Sequence, residues 1–241
     1  MSFIQADFYA TPAARVSLKR GLARQAMSHA AGNQADLHEL LVVLDCLRPN
    51  AKARERMARR IKAMRGVVRV TSKGDALVIL VRNQAEITTA AEEVAVFSET
   101  SLIYTRLTAR CEGGRCIYDM SRASFSLHAL QRLVERGGVA LDRALLPVVD
   151  GEAAGILRTL SKDSFVREDE DVFAQAGVPG LWAGAVDGMA LDPEWGLRHK
   201  DADVRVPVFS VRTFLSPDEM RPMVWMRWNE GQGMPSKSPR R

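Results

Sequence analysis

The chain has 241 residues, of which 46% are hydrophobic and 26% are charged, a composition typical of folded soluble proteins that excludes global disorder. Its 34 Lys and Arg residues exceed its 29 Asp and Glu residues, and the net charge of +5 leaves open both a polyanionic partner and a merely solvated positive surface. The chain lacks a basic start followed by an apolar run, and it lacks any uncharged apolar stretch of 18 residues, which predicts a cytoplasmic protein without a membrane partner.

Residues 1–65 are predicted to form a helical N-terminal region, because Ala, Leu, Arg and Met dominate there and two turn signals divide it. Between these signals, the stretch DLHELLVVLDCLR predicts an apolar helix that begins at Asp36. The next helix, AKARERMARRIKAMRG, has Asn50 as its predicted cap and Gly66 as its predicted end.

The second of these helices is strongly basic, with Glu55 as its single acidic residue. Met57, Ile61 and Met64 recur at spacings of four and three, so this stripe can face a core while the basic residues face solvent. Such a face can lie on phosphates, or it can be a solvated face whose long side-chain stems cover apolar neighbours. No aromatic residue is interleaved with the charges, which argues against stacking on single strands. The candidate nucleic-acid-binding residues are Lys52, Arg54, Arg56, Arg59, Arg60 and Lys62.

Residues 66–230 are predicted to form an α+β domain in which helices pack on an antiparallel sheet. The stretch VVRVTSKGDALVILVRN predicts a hairpin that turns at Gly74, and SLIYTRLTARC and RCIYDMSRASF predict two further paired strands. The stretch AEITTAAEEVAVFSE is ambiguous between a short helix and other structure. Three further stretches are strand-like: GLWAGAVDGMAL, VRVPVFSVRTFL and MVWMRWN. The acidic run at residues 168–171 indicates a solvated loop or helix start. Residues 231–241 are predicted to be a disordered tail.

The sequence contains no glycine-rich phosphate loop, nucleophile elbow or zinc-protease motif, which argues against the commonest nucleotide-dependent, hydrolase and metalloprotease classes. Three cysteines are too few for a disulfide framework in a chain of this length. Cys111 and Cys116 in CEGGRC can cross-link, or supply half of a zinc site with His128 as the nearest third ligand. The simplest interpretation is two unreactive thiols, and we predict no metal and no cofactor.

The segment SFSLHALQRLVERGG predicts a short amphipathic helix between Ser126, its cap, and Gly137, its end. At about 100° per residue its leucines fall on one side, and four polar residues fall within an arc of about 100° on the other. The candidate catalytic residues on this polar side are His128, Arg132, Glu135 and Arg136.

These four residue types suit cleavage of a phosphodiester without a metal. A neutral imidazole can transfer a proton near pH 7, which makes His128 the candidate general acid and base. Arg132 and Arg136 can hold the scissile phosphate through bidentate hydrogen bonds, and Glu135 can orient them. An amphipathic surface helix without any activity would show its polar residues on one face in the same way, so this alternative stays open.

The same segment resembles the pattern S-x-H-A-x-x-R-x-x-E-R-G, found at the start of small bacterial domains related to the BrnT and RelE toxin superfamily. The resemblance covers roughly 15 residues, and the matching positions are Ser126, His128, Ala129, Arg132, Glu135, Arg136 and Gly137. It implies helices packed on an antiparallel sheet, a bacterial or phage protein, and an RNA-cleaving activity such as several of these toxins have.

Three functions therefore remain open at the level of the sequence. The first is a metal-independent ribonuclease that uses His128. The second is DNA or RNA binding through the basic helix without catalysis. The third is an interaction protein of a mobile element, defence or regulatory system, in which the apolar N-terminal helix forms a homodimer or contacts a host protein.

Overall fold

The computed structural model describes residues 12–91, 95–190 and 205–233. Within these ranges the helices are α1 (Pro12–Ala31), α2 (Leu37–Leu44), α3 (Ala51–Lys62), α4 (Leu127–Arg136), α5 (Leu146–Leu160) and α6 (Pro222–Gly233). The strands are β1 (Val67–Lys73), β2 (Ala76–Ala91), β3 (Ala95–Glu112), β4 (Arg115–Ser126), β5 (Val166–Glu168), β6 (Asp171–Gln175), β7 (Leu181–Ala190) and β8 (Arg205–Leu215). A single 3-10 turn, Pro217–Glu219, precedes α6.

The strands form one sheet in the order β1-β2-β3-β4-β8-β7-β6-β5. Two antiparallel meanders, β1 to β4 and β5 to β8, meet where β4 pairs with β8 in parallel, from Arg122 opposite Val208 to Phe125 opposite Val211. The prediction of a mixture of helices and sheet is confirmed, but the prediction of a purely antiparallel sheet is wrong. The parallel pair arises because α4 and α5 carry the chain away from β4, so the second meander begins at the far edge and ends beside it.

The turns and caps predicted from local sequence are present. Asp36 and Asn50 accept hydrogen bonds from backbone N–H groups in the first turns of α2 and α3. The β1–β2 hairpin turns at Gly74, with φ of +61°, as predicted. Gly66 also has a left-handed φ of +67°, but α3 ends earlier, at Lys62; an added Cβ on Gly66 would lie 2.1 Å from the backbone N of Ala35.

Helices α1, α4 and α5 cover one face of the sheet. Their buried side chains, such as Ala30 and Leu130, share one core with Phe125 and Trp182 of the sheet. Phe125 and Trp182 meet edge to face, with ring centroids 5.2 Å apart. This core extends across both meanders and therefore fixes α4 at the junction of β4 and β8.

Helices α2 and α3 cover part of the opposite face. Leu40 of α2 and Ile61 of α3 are buried against Leu77 and Ile79 of β2 and Leu107 of β3. These contacts cover the outer half of the first meander. The rest of this face, around the β4–β8 junction, carries polar side chains such as Ser124 and Ser210 beside apolar ones such as Met189 and Val208.

Two predicted elements differ from those observed, and the acidic run agrees with one of its two predicted alternatives. The stretch MVWMRWN is not a strand but part of α6, in which Val224 and Trp228, four residues apart, pack against the β5–β7 region. The described parts of the ambiguous stretch, residues 85–91 and 95–99, belong to β2 and β3 and form no helix. The acidic run, predicted to be a solvated loop or a helix start, forms the β5–β6 hairpin, whose turn residues Asp169 and Glu170 are exposed. Asp169 has a left-handed φ of +53°.

The ends of α4 and α6 also refine the predictions. Helix α4 starts after Ser126 and ends at Arg136, as predicted. Gly137 has an ordinary φ of −80°, so it is not a left-handed cap; a side chain does not fit there, because an added Cβ would lie 2.7 Å from the Leu133 carbonyl oxygen. Helix α6 continues to Gly233, so the predicted tail does not begin at Gly231. The rest of that predicted tail, residues 234–241, lies outside the described residues.

The change from helices to strands occurs at Val67, close to the predicted boundary at residue 65. Residues 12–65 nevertheless share their buried surface with the sheet, because α1 packs on α4 and Ile61 of α3 packs on β2. The division into two domains stays a prediction. No helix within the described ranges combines the length and hydropathy needed to cross a lipid bilayer.

Two carboxylates connect α5 to the sheet, that of Glu152 buried and that of Asp150 partly buried. Asp150 accepts hydrogen bonds from Arg82 Nη1 at 2.6 Å and from the Tyr104 hydroxyl at 2.7 Å. Glu152, only 5% exposed, accepts from the Gly177 N–H at 3.0 Å and from Trp182 Nε1 at 2.8 Å. Donors of the protein therefore satisfy the hydrogen-bonding requirements of both carboxylates.

Candidate nucleic-acid interface and candidate active site

Helix α3 lies against β1, the edge strand of the sheet, and presents its basic side to solvent. Ile61 is fully buried, and Met57 and Met64 are half-buried in the same apolar cluster as Val67 and Val70 of β1. The predicted apolar stripe is therefore confirmed. It fixes the rotation of α3 and turns the opposite side of the helix outward.

Five of the six predicted binding residues are exposed: Lys52, Arg56, Arg59, Arg60 and Lys62. At about 100° per residue, the first four fall within an arc of about 100°, and we call these four the basic face. Arg54 differs, since it is half-buried and its Nη1 donates to the Pro49 carbonyl oxygen at 2.7 Å.

Within the part of the chain that the structure describes, Arg59 is the one member of the basic face with a carboxylate partner. Its Nη2 lies 2.7 Å from Glu55 Oε1, and the two side chains are 75% and 65% exposed. An exposed pair of this kind contributes about 0.3–0.5 kcal/mol, so a phosphate can displace Glu55 at small cost. The charges of Lys52, Arg56 and Arg60 are not neutralised by any neighbouring described side chain.

Three of the four candidate catalytic residues lie together on α4. Arg132 Nη1 lies 3.0 Å from Glu135 Oε2, and Arg132 Nε donates to His128 Nε2 across a long contact of 3.5 Å. Arg132 and Glu135 are partly exposed, and His128 is exposed. The structure thus brings an imidazole, a guanidinium and a carboxylate into one line along the helix.

Arg136 has a different environment. Its Nη1 donates to the Phe214 carbonyl oxygen at 3.0 Å, and its Nη2 lies 2.8 Å from Glu219 Oε1. Glu219 itself closes a capping box with Ser216 at the start of the 3-10 turn. Arg136 therefore ties the end of α4 to the end of β8, and its guanidinium is occupied in the folded protein.

A groove of about 730 Å³ lies beside His128, on the part of the sheet that α2 and α3 leave uncovered. We call it the polar groove for its hydroxyl and charged side chains, although Met189 and Val208 also line it. Side chains alternate along a strand, so the groove residues of β3 and β4 share a face with Leu107 and Met120, which contact α2 and α3. The polar residues that line it include Glu99, Ser101, Ser124, His128, Asp187 and Ser210.

The groove combines hydroxyls, carboxylates and cations from four strands and α4. Ser101 and Ser124 are buried, whereas His128 and Arg212 are exposed. Arg122, two residues before Ser124 on β4, is only 2% exposed, and its Nη1 lies 3.2 Å from the sulfur of the groove residue Met189. Such a surface can hydrogen-bond a polar ligand, and His128 is the candidate catalytic residue that contributes to its wall.

The cysteine pair lies far from this groove. Cys111 and Cys116 are free thiols directly opposite each other in the β3–β4 hairpin. Strand β4 carries the chain about 33 Å from Cys116 to Ser126, at about 3.3 Å per residue, so His128 cannot complete a zinc site with them. No group of three metal-ligating side chains occurs among the described residues. Burial raises the pKa of the Cys116 thiol, which keeps it protonated and weakly nucleophilic.

The groove residues of the sheet were not identified from the sequence, although one signal was present. In SRASFS the serines at 124 and 126 alternate with Ala123 and Phe125, which places hydroxyls on one face of a strand and apolar groups on the other. This alternation indicates that one face of β4 is not an ordinary apolar core face. The partners from β3, β7 and β8 depend on long-range strand pairing, which the local pattern does not encode.

Comparisons with protein-family models, with curated proteins and with solved structures give no match for this chain.

Proposed function

We propose that this protein binds double-stranded nucleic acid, without sequence specificity, through the basic face of α3. The observation that carries the proposal is the exposure of Lys52, Arg56 and Arg60 on one side of a rigid helix with no carboxylate partner among the described residues. Phosphate contacts from such side chains supply affinity but do not read the bases.

The dimensions of the basic face suit a duplex backbone. From Lys52 to Arg60 the helix rises about 12 Å, over which duplex DNA carries about seven negative charges. The face contains no aromatic side chain on which an unpaired base could stack, which favours a duplex over a single strand.

The test is the salt dependence of binding to a 20-base-pair duplex, followed by fluorescence anisotropy between 50 and 200 mM NaCl. The triple substitution Lys52→Gln, Arg56→Gln and Arg60→Gln should reduce the slope of log K against log [salt] by about 2.7, since each phosphate contact contributes about 0.9. Affinity at 100 mM NaCl should fall at least tenfold.

The control removes three exposed charges elsewhere, by Arg20→Gln, Arg143→Gln and Lys162→Gln. Both triple variants lower the net charge from +5 to +2, so they separate a local interface from an effect of total charge. Equal losses in the two variants would refute the assignment to α3. If the wild-type protein does not bind the duplex but forms a discrete homodimer or a complex with a host protein, the interaction-protein alternative is favoured.

A metal-independent ribonuclease of the BrnT and RelE type is a second candidate function. One observation favours it, namely that His128 lines a polar groove while contacting Arg132, which in turn pairs with Glu135. In this proposal His128 transfers the proton and Arg132 holds the phosphate, whereas Arg136 would first have to leave Glu219. RNA cleavage that His128→Ala abolishes and Arg20→Gln preserves would support it; an absence of RNA cleavage by the wild-type protein would refute it.

A further inference from the structure

A second cationic feature lies on the other face of the sheet from α3, between the outer strands and α5. Arg69 and Lys73 of β1, Arg106 of β3 and Arg158 of α5 line a cleft of about 240 Å³. Arg69 pairs in register with Leu80, which pairs with Arg106, so the cationic side chains of β1 and β3, on either side of β2, project from one face. Helix α5 closes the cleft from the side.

The cleft concentrates positive charge without a counter-charge. No described carboxylate lines it, and none of the four cationic residues forms a salt bridge with a described side chain. The acid on this face of β4, Asp119, does not pair with any of them either. The like charges from these three elements repel one another, and a bound anion would offset this repulsion.

The floor of the cleft is apolar. Leu157 is fully buried, Leu80 is buried, and Val78 and Ala154 are partly buried where they border the cleft. Guanidinium groups at the rim suit bidentate hydrogen bonds to phosphate oxygens, and the floor can contact an uncharged part of the same ligand.

We propose that this cleft binds a compact phosphate ester with two or more negative charges, of the nucleoside diphosphate class. The volume of about 240 Å³ lies just below the range of about 300–1,000 Å³ typical of ligand sites, so the cleft holds the phosphates and encloses only part of the nucleoside. A duplex, by contrast, is too broad to enter a cleft that α5 closes. This site is separate from the basic face of α3.

The test is calorimetric titration of the full chain with ADP, pyrophosphate and adenosine in 150 mM NaCl. ADP should bind at least tenfold more tightly than adenosine, because the cationic rim recognises phosphate, and more tightly than pyrophosphate, because the floor contacts the nucleoside. The assignment would be overturned if ADP bound no more tightly than adenosine, or no more tightly than pyrophosphate.

Two kinds of variant locate the site. Arg69→Gln with Arg158→Gln removes two exposed rim charges and should weaken ADP binding at least tenfold. Ala154→Leu keeps every charge but fills the floor, and it should weaken ADP binding by a similar factor. Unchanged ADP affinity in both variants, with the fold verified by circular dichroism, would overturn the proposal.

Two further comparisons separate this proposal from the one for α3. The triple variant of the basic face should bind ADP within twofold of wild type, whatever its affinity for duplexes. The Arg69→Gln and Arg158→Gln variant should in turn bind the 20-base-pair duplex within threefold of wild type. A larger loss of duplex binding in that variant would show that the cleft is part of the nucleic-acid surface and would overturn its assignment to a compact ligand.

Discussion

The environment of Arg136 predicts that this residue holds the fold together, in contrast to Arg132 one turn earlier on the same helix. Arg136→Gln removes a charged hydrogen bond to the Phe214 carbonyl and the 2.8 Å ion pair with Glu219, whose side chains are 24% and 34% exposed. Hydrogen bonds of charged groups contribute about 1.5–3 kcal/mol, and screening by solvent places this contact near the lower end. We expect Arg136→Gln to lower the free energy of unfolding by about 2 kcal/mol.

The matched control is Arg132→Gln, which removes the same charge from the next turn of α4. Arg132 and Glu135 form a partly exposed pair three residues apart, so we expect a loss of only about 0.3–0.5 kcal/mol. Urea denaturation followed by tryptophan fluorescence, to which the buried Trp182 contributes, measures both values, provided that the m-value stays constant. A double-mutant cycle between Arg136→Gln and Glu219→Gln should give a coupling energy of at least about 0.5 kcal/mol. Equal small losses for Arg132→Gln and Arg136→Gln would refute the structural role of Arg136.

Two buried polar contacts give further predictions. Glu152→Ala leaves the Gly177 N–H and Trp182 Nε1 without acceptors, and we expect it to lower the free energy of unfolding by about 3–5 kcal/mol. Glu152→Gln keeps one acceptor oxygen and should lower it by only about 1–3 kcal/mol. Equal losses of the two variants in urea denaturation would contradict this difference. In the folded protein burial, and then Asp150, raise the pKa of the Tyr104 hydroxyl well above its usual value of 10.0. The contribution of Tyr104 to stability is therefore fully present below pH 10 and is lost as the pH rises further. The stability difference between wild type and Tyr104→Phe should therefore shrink by about 1.4 kcal/mol from pH 8 to pH 11, because the unfolded tyrosine ionises; a constant difference would contradict the raised pKa.

The features that sequence predicted well are those determined by a few neighbouring residues. Asp36, Asn50 and Ser126 cap their helices as expected, because a short oxygen-bearing side chain reaches the backbone N–H groups of the following turn. The apolar stripe around Ile61 likewise defined the rotation of α3. These patterns depend on helix geometry alone and require no knowledge of distant partners.

The features that sequence did not predict depend on contacts between distant parts of the chain. The parallel pairing of β4 with β8 joins Ser124 to Ser210, and neither strand signals its direction relative to the other. Helix α6 was predicted as a strand from MVWMRWN, which is rich in Val and Trp, although Val224 and Trp228 already had helical spacing. The ion pair between Arg136 and Glu219 was also not predicted, because Glu219 lies 83 residues further along the chain.

The central claim, that the basic face of α3 lies on nucleic-acid phosphates, is tested most directly by photo-cross-linking the full chain to a 20-base-pair duplex with a photoreactive backbone. Pepsin digestion and mass spectrometry then identify the attached peptides, at 150 mM NaCl. The proposal predicts that the cross-linked peptides come from residues 51–62. Cross-links concentrated in peptides that contain Ser124 or Ser210 of the groove, with none in residues 51–62, would contradict it.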